Sequence, residues 1–249
     1  DRFLVLAGGS DDGTRDLATT LATAHANTSV LFVEGLAADV GPVLGKGDSM
    51  WRSQAAIETD VVVYLDADLL NVSPNMVLSL AAPLVFGDEV DFTKGLFHRV
   101  TDRGDPREYD GGRVTELVAR PLINLVCADL ARYYQPLGGQ VGIRTDLLAS
   151  LPVVTAFGVE IGMLFDVSRG VGHDRIGEVE LGDLVNSEKG DGELLPMAQQ
   201  VAYTLLTRAG CGEPGWVPAV RPTFDGDLRV VPGSDVVERA PWIERPGRG

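Results

Sequence analysis

The chain has 249 residues with an ordinary apolar share of 45%, enough for one sizeable core, so it reads as one large domain or a domain with an appendage. A formal net charge of −15 excludes the Lys/Arg-rich faces that nucleic acids and anionic membrane surfaces select, but leaves room for a local basic pocket that takes an anionic substrate. Cys127 and Cys211 show no C-x-x-C spacing, and no stretch reads as a membrane span or a signal peptide, so the expectation is a cytoplasmic protein without a disulfide framework.

Arg2 to Ala7 is a strand, followed by a glycine-rich turn that contains Ser10. A helix fits Arg15 to about Ala26, and Ser29 to Val33 is a second strand. A Gly/Pro loop then leads to Gly45-Lys46-Gly47, and a helix is expected from about Ser49 to Thr59. Lys46 stands between glycines that would let a phosphate approach the backbone, while its ammonium supplies a point charge. The spacing is not that of a P-loop: Gly41 is too close to Gly45, and Gly47 stands where Ser or Thr is required. A plain surface lysine is the alternative.

Val61 to Leu65 is a β-branched apolar run, expected as a strand buried on both faces in the middle of a parallel sheet. It stops at Asp66-Ala67-Asp68, where ligands of an open α/β sheet sit. Two carboxylates there suit Mg²⁺ or Mn²⁺ with diphosphate oxygens. The bland reading is a solvated Asx turn. Pro74 to about Pro83 is a helix, and Val90 to Phe97 a strand. Thr101 to Asp110 is polar and reads as a mobile loop. It leads into an amphipathic helix beginning near Gly111-Gly112-Arg113-Val114-Thr115, with Val114, Leu117, Val118, Leu122 and Leu125 on its apolar stripe and a kink at Pro121. Its start offers amides, a guanidinium and a hydroxyl, which suit an anion; a surface Arg on a glycine-led helix is the alternative.

Gln135 to Gln140 is a glycine turn, Arg144 to Leu151 a short helix, and Phe157 to Asp166 an apolar helical stretch with one acid, Glu160, near its start. That acid reads either as dipole complementation or as a functional carboxylate in a cleft. Ile176 to Leu181 is an edge strand and Leu194 to Ala209 a helix. Residues 210–249, rich in Pro, Gly and charge, read as an extension that packs on domain 1–209 or on a partner subunit.

Read together and in this order, the segments around Lys46, Tyr64-Leu65-Asp66-Ala67-Asp68-Leu69, Gly111 to Leu122, Gln135 to Gln140 and Phe157 to Gly162 closely resemble the glucosyl-3-phosphoglycerate synthase family. The long block from Gly111 to Leu122 is the specific part, and the resemblance runs from about Phe3 to Leu206. It implies a GT-A-like fold with a central, mostly parallel sheet. The implied activity is a metal-dependent, retaining hexosyl transfer from a UDP- or GDP-sugar to a small anionic acceptor such as a phosphoglycerate, by a cytoplasmic homodimer. Transfer to another natural-product acceptor, or catalytically weak sugar-nucleotide binding, are the alternatives.

Residue by residue, the resemblance implies donor contacts from Ser10, Lys46, Asp66, Ala67 and Asp68, with Asp68 on Mg²⁺ or Mn²⁺. Gly112, Arg113 and Thr115 match the acceptor-phosphate site, Leu137 and Gly138 match backbone contacts near the reacting sugar, and Glu160 matches an acid beside the sugar. Two departures stand out. The family's opening strand, with its uracil-binding segment, has no counterpart in this chain. In the family's late H-R-N-R-like segment, Asn186 takes the place of the metal-binding His, while Glu188 and Lys189 replace acceptor-binding Asn and Arg. Asn186 is then expected as a weaker metal ligand and Lys189 as an acceptor contact. His173 is expected to be an ordinary strand-end histidine.

Overall fold

The computed structural model describes residues 2–100, 112–186, 191–211, 220–222, 227–230 and 236–246, with backbone alone for residues 191, 220–222 and 228. The loop expected at 101–110, as well as Gly111, Glu188 and Lys189, lies outside these residues.

Strand β1 (Phe3–Ala7), helix α1 (Thr14–Ala24) and strand β2 (Thr28–Phe32) form a β-α-β unit, with β1 and β2 paired in parallel. Helix α2 (Lys46–Ser53) leads to strand β3 (Val61–Tyr64), and helix α3 (Pro74–Phe86) to strand β4 (Phe92–Val100). After a wide turn at Thr115–Ala119 and helix α4 (Arg120–Val126) come strand β5 (Val141–Arg144), helix α5 (Thr145–Ser150), strand β6 (Val153–Val154) and helix α6 (Val159–Gly170). Strand β7 (Ile176–Val185), helix α7 (Asp191–Arg208), the β8–β9 hairpin (Val220–Pro222, Leu228–Val230) and strand β10 (Glu238–Arg239) complete the chain.

The main sheet runs β3-β5-β4-β7. Because β5 is antiparallel to both neighbours while β4 and β7 are parallel, β3, β4 and β7 point one way and only β5 opposes them. The expectation for β3 needs correction. It is an end strand of this ladder with a single hydrogen-bonded partner, β5, and its four residues are only half-buried. Its apolar run reflects helix α3, which lays Met76, Leu80 and Leu84 on the sheet at helical spacing.

Strands β4 and β7 both run beyond their expected ends. The polar residues His98 and Arg99 of β4, and Gly182 and Asp183 of β7, mask the continuation in sequence. A register shift between Leu96 and Phe97 carries the ladder through, and Gly182 takes a φ of +75° that favours glycine. Helix α2 starts at Lys46, earlier than expected, and ends at Ser53, where a short 3₁₀ turn over Gln54–Ala56 follows.

Fully buried Arg52 organises the loop before α2 by donating to the carbonyls of Leu36, Ala37, Gly41 and Pro42 and to Asp48. The segment 236–246 lies on the same region. Strand β10 pairs with β6, Arg239 donates to Asp48, and buried Trp242 meets Trp51 edge-on with ring centroids 4.7 Å apart.

The stretch expected as a kinked amphipathic helix changes its winding. Arg120 N–H donates to the Thr115 carbonyl, five residues back, just before Pro121, which has no N–H to give. The wide turn rotates the buried face to Val114, Thr115, Ala119 and Ile123, and leaves Leu117 and Leu125 of the expected stripe exposed.

Candidate active site

The carboxyl ends of β3, β4 and β7 lie at one edge of the sheet, together with the turn that enters β5. A cavity of about 1010 Å³ opens there, where open α/β sheets bind ligands. Its wall brings together Lys46, Asp66, Asp68, Arg113, Glu160 and Asn186, with Gly112, Thr115, Ala67 and Leu137 beside them.

Lys46 is the first residue of α2, entered through Gly45 at φ +107°. Its ammonium forms ion pairs with both Asp66 and Glu160. Burial opposes the charge on Lys46, but Glu160 and Asp66 outweigh it and hold the pKa above its ordinary value. Burial likewise would raise Asp66, yet the Lys46 ammonium and a 3.0 Å hydrogen bond from Gln140 keep that carboxyl below its ordinary range. Lys46 and Asp66 are thus kept charged in a poorly solvated wall.

Gly47 has a different role from the one expected. A Cβ at Gly47 would meet the Val154 carbonyl, with the carbonyl carbon at 2.9 Å, so this glycine allows close packing of α2 on β6 and is not part of a phosphate cradle. Gly139 allows a comparable approach between the β5 entry turn and the Lys46–Asp66 pair.

Two expected residues stand apart. Ser10 follows β1, but it is Leu6 that reaches the cavity wall from that region. Gly138 lies behind the wall, with its carbonyl turned inward to accept from Lys94 at 2.8 Å. Lys94, fully buried in β4, was not singled out from the sequence, nor were Gln140 and Arg99. A usable signal existed for Lys94: a cation inside an otherwise buried strand requires a specific acceptor. His173 sits away from the cavity, hydrogen-bonded to Tyr133 at 2.9 Å and to Asp129 at 3.2 Å.

For a divalent cation, the donor chemistry decides. Among the described residues no group of three or more His, Cys, Asp or Glu side chains surrounds one position. Asp68 lines the cavity and fits a Mg²⁺ or Mn²⁺ that takes its remaining ligands from phosphate and water. Asn186 does not fit that role as placed. Its amide oxygen, the atom that would ligate, accepts a 3.0 Å hydrogen bond from Arg99 Nη1, and a guanidinium repels a dication. Lys189, the other residue expected from that segment, falls outside the described residues.

No family model matches the chain. It is 39% identical over 219 residues to the glucosyl-3-phosphoglycerate synthase of Mycolicibacterium paratuberculosis, an alignment covering 86% of this chain and 65% of that protein. It is 38% identical over 216 residues to the corresponding synthase of Mycolicibacterium smegmatis, covering 86% of this chain and 70% of that protein. The chain therefore spans roughly two thirds of the length of these curated relatives, 65% and 70%. The crystal structure of the Mycobacterium tuberculosis synthase in complex with Mn²⁺, UDP-glucose and phosphoglyceric acid matches with a TM-score of 0.82 at 36% identity, covering 97% of this chain and 79% of that one. Its complex with Mn²⁺, UDP and glucosyl-3-phosphoglycerate matches with a TM-score of 0.83. These structures share the GT-A-like α/β arrangement expected from the sequence, and the likeness extends from the motifs around Lys46 and Asp66 through nearly the whole fold. The chain belongs to the glucosyl-3-phosphoglycerate synthase family.

Proposed function

We propose that this protein is a glycosyltransferase that moves glucose, with retention, from UDP-glucose to a small anionic acceptor, phosphoglycerate in the first instance, with Mg²⁺ or Mn²⁺ as cofactor. The observation that carries the reading is the convergence of Lys46, Asp66, Asp68 and Glu160 with Gly112, Arg113 and Thr115 on one cavity, in a chain of this family. The relatives' complexes with Mn²⁺, UDP-glucose and phosphoglyceric acid support it.

Asp68 would hold the metal, which when bound neutralises charge on the departing diphosphate. Lys46 adds fixed positive charge at the same end of the site, kept ionised by its two carboxylates. Asp66 and Ala67 contribute donor contacts, and Ser10 belongs to the same donor side. Glu160 faces the sugar, either as a carboxylate that takes part in the retaining transfer or as a hydrogen-bond acceptor for the sugar hydroxyls. Leu137 supplies a backbone contact beside the reacting carbon, while Gly138, expected to do the same, has its N–H bonded to the Gln135 carbonyl and its carbonyl to Lys94, and so supports the turn from behind. Gly112, Arg113 and Thr115 bind the acceptor's anionic group with helix-end amides, a guanidinium and a hydroxyl, and Lys189 adds a cation. The same reading takes residues 1–209 as the transferase domain, 210–249 as an extension packing on it or on a partner, and the protein as a cytoplasmic homodimer. No helix among the described residues is long and apolar enough to cross a membrane.

One specific feature favours a second acceptor. Glu188 and Lys189 stand where the family pattern has Asn and Arg, which favours an anion that differs from 3-phosphoglycerate at its far end. The test is direct: incubate the protein with UDP-glucose, Mn²⁺ and a panel of phosphorylated or carboxylated acceptors, and follow UDP release and the glucosylated product. No transfer to any anionic acceptor overturns the reading.

A further inference from the structure

Gln140 is almost fully enclosed, at 1% exposed, in the turn that enters β5. Its backbone is fixed from β4, where the Gly95 N–H donates to the Gln140 carbonyl at 2.9 Å. Gly95 also leaves room for the stem, since a Cβ there would lie 3.1 Å from the Gln140 Cβ. From that position the side-chain amide reaches the end of β3 and donates from Nε2 to Asp66 Oδ2 at 3.0 Å. Lys46 takes the other oxygen, Oδ1. The Asp66 carboxylate is thus gripped at both oxygens, by an ammonium from α2 and by an amide from the β5 entry.

The grip carries a penalty. Oε1 of the same amide is buried with no hydrogen-bond partner among the described residues. Turning the amide over would not relieve it, because Asp66 is an ionised acceptor and two oxygens would then face each other. An orphaned buried carbonyl is destabilising, and an apolar side chain of the same length would avoid it. We propose that Gln140 is a positioning residue for the nucleotide-sugar donor: its amide N–H fixes the Asp66 carboxylate in the orientation that receives the donor, and the orphaned oxygen is the penalty for keeping a neutral N–H there. The inference deepens the glycosyltransferase reading and rests on it. The residue type matters. Glutamate has the same shape, but when ionised it has no proton to donate and sets another negative charge against Asp66.

Calorimetric titration of UDP-glucose in Mn²⁺ into wild type, Gln140→Met and Gln140→Glu, with melting temperatures alongside, tests this. Gln140→Met keeps the length but has no N–H. It is expected to weaken UDP-glucose by about tenfold, the loss of a hydrogen bond to a charged group, while its melting temperature stays at or above that of wild type because the orphaned oxygen is gone. Gln140→Glu is expected to bind the donor nearly as wild type does at about pH 5, where a protonated carboxyl still donates to Asp66. By about pH 8, where the ionised group only accepts, it should have lost about tenfold. The charged groups around this point, Asp66, Lys46, Glu160, Lys94 and Arg99, are common to all three proteins, so a pH step confined to Gln140→Glu belongs to the substituted side chain. Should Gln140→Met fail to fold, Gln140→Glu carries the test through that step. Unchanged UDP-glucose affinity in both variants, or a loss in Gln140→Glu that is the same at both pH values, overturns the assignment alone. So does a fall in the melting temperature of Gln140→Met in step with its affinity, the mark of a purely structural role. Wild type that binds no UDP-glucose overturns it together with the glycosyltransferase reading.

Discussion

Lys94, with no exposed surface, donates a 2.8 Å hydrogen bond to the carbonyl of Gly138 and so ties strand β4 to the turn that forms the cavity wall at Leu137 and Gly139. Burial draws its pKa down from the ordinary 10.5 to about 8; Glu160, Glu178 and Asp66 oppose the fall, and Lys46 adds to it. The folded protein therefore releases this proton at lower pH than the unfolded chain does. Between about 8 and 10.5 the unfolded state binds more protons, so stability from this group rises with pH. Urea denaturation of wild type and Lys94→Met across that range should show the difference shifting in favour of wild type as pH increases. A difference that stays flat with pH would sink the assignment. The variant should also lose kcat with little change in donor affinity, because the turn it supports loses its anchor while the Lys46–Asp66 pair stays.

Much of the site was readable before any coordinates, and the limits have physical causes. Lys46, Asp66, Asp68 and Glu160 sit in short motifs at strand ends and helix starts, where sequence order alone predicts a shared edge. Lys94 and Arg99 sit inside a strand, and their importance depends on which neighbours the ladder brings, which period-two patterning does not encode. The stripe through Leu117 and Leu125 failed for a related reason: the wide turn before Pro121 rotates the helix face, and a fixed 3.6-residue period cannot anticipate it. Asn186 lines the cavity, but its partner Arg99 arrives there only because β4 and β7 run on past their apolar cores.

Two glycines give a contrast. A Cβ at Gly139 would lie 2.6 Å from Lys46 Nζ and against both carboxylate oxygens of Asp66, so the ends of an ion pair must part while the backbone stays. A Cβ at Gly47 would meet the Val154 backbone, which cannot yield locally. Gly139→Ala should therefore keep its melting temperature within a few degrees, a shift of under about 1 kcal/mol, yet lose about tenfold or more in donor affinity. Gly47→Ala should lose about 1–3 kcal/mol of stability from overpacking. Differential scanning fluorimetry and UDP titration on both proteins check the pair. The reverse ordering would mean that the Lys46–Asp66 contact does not serve the donor.

Asp68→Ala should abolish the Mn²⁺-dependent increment in UDP affinity. The carboxylate stands at the carboxyl end of β3 on the cavity wall, and hard cations take carboxylate and phosphate oxygens. The metal-free component should remain, since Lys46 is untouched. UDP titrations with and without Mn²⁺ separate the two components. An unchanged Mn²⁺ increment would remove Asp68 from the metal site.

The proposed acceptor site is tested at Arg113. This residue opens the segment that the wide turn at Thr115–Ala119 holds, and with Gly112 and Thr115 it lines the same cavity as Lys46 and Asp68. Thr115 is buried and Gly112 half-buried, while Arg113 is exposed at the cavity wall. An anion arriving there exchanges water for a charge-assisted contact in a partly desolvated cleft. Arg113→Ala should therefore lower kcat/KM for the acceptor by about ten- to hundredfold. UDP affinity should barely move, because Arg113 is assigned to the acceptor. Lysine at the same position should recover part of the loss, keeping the charge but not the bidentate fork. Steady-state rates for wild type, Arg113→Ala and Arg113→Lys against phosphorylated, carboxylated and neutral acceptors read this out. A neutral acceptor used equally well by all three would refute the anion site. Efficient use of 3-phosphoglycerate by wild type would show that Glu188 and Lys189 leave the family's acceptor unchanged.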